Sequence, residues 1–218
     1  GAPTCAAEAE EAVEGSAGET VEDATVEALA EVEDGEAPVV DAQGDGINVA
    51  VLYDNEEIGS NTRRGADSST LTVILEKLAL SLGLDRTALL DACLNGMLLS
   101  CDAAHAMHPN HPEYADFSCA PVLGGGVALK RSPRYSSDAE TCAVIQGLCD
   151  ANQIPLQIYM NRADLPGGST VGSMASSLLA MPAADIGVPI LAMHSACETM
   201  GAADQDAFVR LCTAFFQA

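Results

Sequence analysis

Apolar and polar positions along this chain fall into two kinds of segment. Short, nearly unbroken apolar runs occur at Val39–Val40, Ile47–Tyr53, Val127–Lys130, Ile154–Met160 and Asp185–Met193. Such runs fit strands buried on both faces, as in a parallel or mixed sheet covered by helices. Between them lie stretches with helical spacing. Leu71, Ile74, Leu75 and Leu78 share one stripe of a helix capped by Ser68 or Ser69, running to about Ser81 and stopped by Gly83. A second helix is expected over about Arg86–Leu99, leading to Ser100-Cys101-Asp102 and then a long loop with His and Pro through Pro121. A third, Ala139–Asn152, takes Ser137 as its cap, with Asp138 and Glu140 favourably placed near its amino end. Residues 171–180 read as a short helix. Asp204–Phe216 reads as a closing one, with Phe208, Leu211, Cys212 and Phe215 on its inner stripe. Strands alternating with helices in this order predict an α/β fold, a three-layer α/β/α sandwich on a mostly parallel or mixed central sheet. That domain spans residues 39–218. Residues 1–38, rich in Ala, Glu and Gly, read as an acidic helix and loop leader, with disorder as the competing reading.

Composition narrows the function more than the fold. The formal net charge is −23, and no Lys or Arg precedes Arg63. A surface of that sign repels nucleic acid and anionic membranes and serves solubility. With four Phe, four Tyr and no Trp, the core must come from Leu, Ile, Val, Ala and Met. The eight cysteines form no CxxC pair and scatter through apolar segments, which suggests buried free thiols in a reducing, cytoplasmic setting. No secretory signal and no apolar run of membrane-spanning length is seen. A chain that starts at Gly1 reads as processed, tagged and cleaved, or a piece of something longer.

Candidate chemistry gathers where the apolar runs end. Ile47–Tyr53 runs into Asp54-Asn55-Glu56-Glu57. Charged residues at the carboxyl end of a central strand are where open α/β sheets place their chemistry. Adjacent side chains diverge, so one glutamate can ligate a metal while its neighbour reaches a bound water; the plain alternative is surface charge. Asp102, His105, His108 and His111 share one segment. Asp102 and His105 would lie on one face if that backbone were helical, although Pro109 and Pro112 prevent one regular helix. His194 follows the last apolar run. Gly167-Gly168-Ser169 forms a Gly-rich turn whose amides can hold a carbonyl or an anion, without the lysine of a phosphate loop. Carboxylates and imidazoles are also the ligand types of metal-assisted hydrolysis.

Four motifs together resemble the M18 metallopeptidases, the aspartyl aminopeptidase family. They are Asp54-Asn55-Glu56-Glu57-Ile58-Gly59-Ser60, Asp102-Ala103-Ala104-His105-Ala106-Met107-His108-Pro109-Asn110, Asn161 to Thr170, and Asp185-Ile186-Gly187 with Leu191-Ala192-Met193-His194-Ser195 and Glu198. The match runs from about residue 47 to the end. The resemblance implies a zinc-peptidase-like fold and release of amino-terminal residues, often acidic, from peptides. It implies two metals, usually Zn2+, with Co2+ or Mn2+ as substitutes. It implies Glu56 as general base, Glu57, Asp102 and His194 as metal ligands, and His105 turned toward substrate. Gly167, Gly168 and Ser169 would shape the pocket, and Lys130 stands near a family lysine. Homo-oligomers, commonly dodecamers, are implied as well. The family's early His-Thr-Asp motif has no counterpart, since no histidine precedes His105. Asp23 lacks the Leu-Asp-Asn context of the family's bridging aspartate and takes no role here. The expectation is a chain weakly active or inactive by itself, with a non-catalytic assembly protein as the rival reading.

Overall fold

The computed structural model describes residues 46–165 and 167–218. The expected acidic leader, the Val39–Val40 strand and Asp23 lie outside the described residues. Among the described residues, five helices and five strands follow one another: α1 Thr70–Ser81, α2 Arg86–Asn95, β1 Leu98–His105, β2 Val127–Lys130, α3 Ala139–Ala151, β3 Leu156–Tyr159, α4 Val171–Leu179, β4 Ala183–Leu191, β5 Thr199–Met200 and α5 Ala202–Phe216, with a short 3-10 turn at Pro112–Tyr114.

The strands make one mixed sheet in the order β1-β4-β2-β3, with β5 also pairing with β4. β1 runs parallel to β4, β2 parallel to β3, and β2 antiparallel to β4. β4 is central and buried over nearly its whole length, which is why its sequence is continuously apolar rather than alternating. One face carries the main core. Val127 and Leu129 of β2 and Ala184 and Ile186 of β4 meet Cys142, Ile145 and Cys149 of α3 and Ala207, Leu211 and Ala214 of α5. Those helix positions recur at three- and four-residue spacing, the stripe a helix buries. Ile145, Leu129, Ile186 and Leu211 are wholly buried, each worth about 1.5–3 kcal/mol over an exposed position. On the other face, α4 packs against β1 and β4, and its Gly172 lies where any Cβ would run into Asp185 and Ser100. The expected three-layer α/β/α arrangement is what forms.

Local chemistry sets the helix ends. Asp138, not Ser137, caps α3: its side chain accepts from the Thr141 amide at 2.8 Å, and Thr141 Oγ1 accepts from the Asp138 amide at 3.0 Å. Ser137 Oγ instead accepts from the Asp185 amide of β4 at 2.8 Å. At the start of α5, buried Asp204 accepts from the Gly124 and Gly126 amides, both at 2.7 Å, and ties the glycine turn before β2 to the helix.

Three expectations need correction. Ile47–Tyr53 pairs with no strand among the described residues, and Ile47, Val49, Val51 and Leu52 are exposed. An apolar run states a demand for cover on both faces; only neighbouring strands turn it into a ladder. The second helix stops at Asn95, and Leu98–His105 is a strand rather than the end of a helix and the start of a loop. Parallel pairing with β4 over eight residues outweighs the helical pattern there. The stripe proposed for α1 is only half-buried at Leu71, Leu75 and Leu78, and Ile74 is exposed.

Candidate active site

The first functional pair comes from a tight turn. The Gly59 amide donates to the Glu56 carbonyl and the Ser60 amide to the Asn55 carbonyl, both at 2.9 Å. Gly59 and Ser60 both take positive φ, 105° and 57°, a backbone state that glycine adopts freely and serine seldom does. Buried Asn55 braces the turn by donating to Thr62 Oγ1, and Asp54 pairs with Arg64 at 2.6 Å. Glu56 is thereby left half-buried and Glu57 exposed.

Asp102 comes from the middle of β1. It stands opposite Gly187 of β4, which in turn faces Ala128 of β2. Lys130 of β2 is 2% exposed, and its Nζ donates to Asp102 Oδ2 at 3.0 Å. The two residues lie on strands separated by β4, and Gly187 makes the reach possible. A Cβ at Gly187 would sit 2.9 Å from Lys130 Cε and 2.8 Å from the Ala103 carbonyl carbon. The Lys130 ammonium also lies 5.4 Å from the centre of the Tyr135 ring, an added cation–π contact. The other Asp102 oxygen accepts from the Ala103 amide at 2.6 Å.

His194 is presented by a left-handed pivot after β4. Ala192 and His194 have φ of 58° and 66°, unusual for residues with side chains and costly unless the surroundings hold them. The holding bonds are Ser195 amide to Ala192 carbonyl at 2.9 Å, and His194 amide to the Glu198 carboxylate at 2.5 Å. The result puts His194 Nε2 3.5 Å from Glu57 Oε2. Glu57, His194, Ser195 and Glu198 line one open hollow.

The electrostatics join these parts. Burial, then the Asp102 and Glu57 carboxylates, push Glu56 above the ordinary glutamate range, against the pull of His194 and Lys130. Desolvation of its ring, then His194 and Lys130, hold His105 below the ordinary imidazole range, while Asp102 acts the other way. Asp102 and His105 nevertheless do not share a face as a helix would have allowed. They are three apart in a strand, so their side chains leave on opposite sides.

A second cavity, of about 460 Å³, adjoins this cluster. Ala192 and Met193 line it just before His194, and His105 lines it from the end of β1. Its size is that of a small-ligand site. Gly167 and Gly168 line it; Ser169 and Lys130 do not. Gly167 is packed against the Asn161 side chain with no room for a Cβ. Tyr114, Asn161 and Arg162 share the same wall; Tyr114 was not singled out in the sequence, and Asn161 and Arg162 entered only as the start of the Asn161–Thr170 motif. Arg162 is clamped by Asp164, at 2.7 Å and 2.9 Å, and donates to the Glu113 carbonyl. His108 and His111 are in the wall too, their rings 5.6 Å apart, and His111 pairs with Glu113 at 3.0 Å. Glu198 was also not foreseen as the group that fixes His194. The sequence offered Glu198 only as a member of the motif that contains His194, four residues before it.

Carboxylate oxygen and imidazole nitrogen are donors that suit zinc. The Glu57–His194 pair therefore fits a zinc ion in kind, and Asp102 supplies a further carboxylate. Among the described residues, however, no three His, Cys, Asp or Glu side chains come together closely enough to hold a metal ion.

Fold and site define a class first: a mixed α/β/α sheet that gathers carboxylates and imidazoles beside a small cavity. Known proteins place the chain within it. The family model of the aminopeptidase I zinc metalloproteases (M18) matches residues 24–216. A probable M18 family aminopeptidase 2 of Clostridium novyi (strain NT) is 43% identical over 159 residues, covering 72% of this chain and 37% of that protein. Among solved structures, Ape4 in complex with Nbr1 superposes with a TM-score of 0.72 at 33% identity, over 76% of this chain and 32% of that one. The S. cerevisiae mApe1 dodecamer superposes at 0.66 and 30% identity, over 76% and 36%. The chain belongs to the M18 metallopeptidase family, and it spans well under half the length of these relatives.

Proposed function

We propose that this chain carries the carboxylate and imidazole residues of a zinc-dependent aminopeptidase that releases amino-terminal, acidic residues from peptides. The observation that carries this reading is the meeting of Glu56, Glu57, Asp102, His105, Lys130 and His194 in one electrostatic cluster, although the chain separates them widely. Family membership supports the same reading.

In this reading Glu57, Asp102 and His194 would each contribute a ligand to the two zinc sites of the whole protein, rather than form one site as a group of three. When bound, zinc polarises a carbonyl and makes water acidic. Glu56 takes the proton from the attacking water and hands it to the leaving amine. Its partial burial and its carboxylate neighbours suit it to holding a proton. Lys130 orients the Asp102 carboxylate across Gly187. His105, Gly167 and Gly168 position the peptide in the adjoining cavity. Arg162 and the His108 and His111 rings on the cavity wall favour an acidic side chain. The protein works as a homo-oligomer, of dodecamer size as in the yeast relative, in a reducing, cytoplasmic setting.

The test uses the whole gene product with zinc, cobalt or manganese and an aspartyl or glutamyl chromogenic substrate. Glu56→Gln should lower kcat by about 10²–10⁴-fold, the usual worth of a general base, with zinc content unchanged by atomic absorption. Near-full turnover by Glu56→Gln would remove Glu56 from the mechanism.

A further inference from the structure

Two thiols outside the proposed chemistry lie against each other. Cys101 of β1 and Cys212 of α5 are 111 residues apart in sequence, yet their Sγ atoms are 3.8 Å apart. Cys101 is exposed and Cys212 is half-buried. Strand alternation explains the meeting. Leu99 packs toward the α3 and α5 core, and Cys101, two residues on, points the same way. Asp102 points to the opposite face. Cys212 belongs to the partly buried edge of the α5 stripe, one residue past wholly buried Leu211.

We propose that Cys101 and Cys212 are a reversible oxidation site, closed to a disulfide by a peroxide and reopened by a thiol reductant. Sulfurs in contact need to approach by a further ~1.8 Å to reach the ~2.05 Å bond length. Among the described residues β1 pairs with one strand, β4.

The chemistry balances with hydrogen peroxide as oxidant. Attack by the exposed Cys101 sulfur on one peroxide oxygen forms an S–O bond and breaks the O–O bond, and the leaving hydroxide takes the Cys101 thiol proton to depart as water. The Cys212 sulfur then attacks the oxidised sulfur. The S–S bond forms, the S–O bond breaks, and hydroxide leaves with the Cys212 thiol proton as the second water. The two sulfurs lose two electrons and the peroxide gains them.

The bond would tie an edge strand to the closing helix, and it would close a long loop. Such links restrict the unfolded chain most, so oxidised protein should melt several degrees higher.

The experiment treats the folded protein with hydrogen peroxide, caps remaining thiols with N-ethylmaleimide and maps peptides by mass spectrometry. The expected product is a cross-linked peptide pair containing Cys101 and Cys212, lost on dithiothreitol, with the other cysteines alkylated. Cys101→Ser and Cys212→Ser should each abolish the cross-link and the rise in Tm. If either variant folds poorly, peptide mapping of the unsubstituted protein still decides. Recovery of Cys101 and Cys212 as alkylated thiols, as sulfinic or sulfonic acids, or bonded to any other cysteine would overturn the proposal.

Discussion

At the scale of single residues, the Lys130–Asp102 pair is the most consequential feature that the sequence hid. Its two ends are buried unequally: the Lys130 side chain is 2% exposed and that of Asp102 36%. Losing one partner of a buried pair leaves the other charge without compensation. Asp102→Asn strands the ammonium where water cannot reach it, whereas Lys130→Met leaves a carboxylate that water still touches. Asp102→Asn should therefore be the costlier change, about 3 kcal/mol, and Lys130→Met clearly less. Urea unfolding curves of the two variants check the order; equal losses would mean that the burial difference does not govern the pair. Gly187→Val should mimic part of this loss, because its side chain would occupy the path Lys130 takes to Asp102.

At the scale of elements, α3 shows how a cap is chosen. Ser137 and Asp138 both suit an N-cap by residue type. The neighbouring strand decides between them, since Ser137 Oγ is taken by the Asp185 amide and Asp138 is left for the helix. Asp138→Ala should cost about 1 kcal/mol, while Ser137→Ala should leave the start of α3 intact. Circular dichroism with thermal melts separates the two. The cap also predicts a pH response. Hydrogen bonds from the Thr141 amide and hydroxyl hold Asp138 below its ordinary value of 3.8. A carboxylate lowered in the folded state stabilises fully above its unfolded pKa and loses that contribution as pH falls through its folded one. The stability difference between the unsubstituted protein and Asp138→Ala should thus be constant near neutrality and shrink as pH falls below about 3.8. A difference that persists at pH 2 would rule out the carboxylate as the source.

At the scale of the whole molecule, the described domain leaves large apolar side chains in water. Leu52, Ile58 and Phe117 are 82%, 79% and 105% exposed. Exposed apolar surface in excess marks interaction sites, in line with the proposed homo-oligomer. Native mass spectrometry of the whole gene product at micromolar concentration should show a large homo-oligomer; a monomer would contradict the proposed assembly. Much of this fold was legible in the chain. β2, α3, β3, α4, β4 and α5 all lie within a few residues of where periodicity puts them, because each buries its own stripe or run. Glu56, Glu57 and His194 were legible as candidates because they follow apolar runs, and Asp102 because it shares a segment with three histidines. What the chain by itself determined was local: which segments are apolar, which residues can cap, and which side chains carry donors. The tertiary structure alone decided that Leu98–His105 is a strand, that Ile47–Tyr53 finds no ladder, and that Lys130 reaches Asp102 across Gly187. The physical reason is that strand pairing and charge pairing depend on a neighbour from elsewhere in the chain, and a local pattern can ask for that neighbour without naming it.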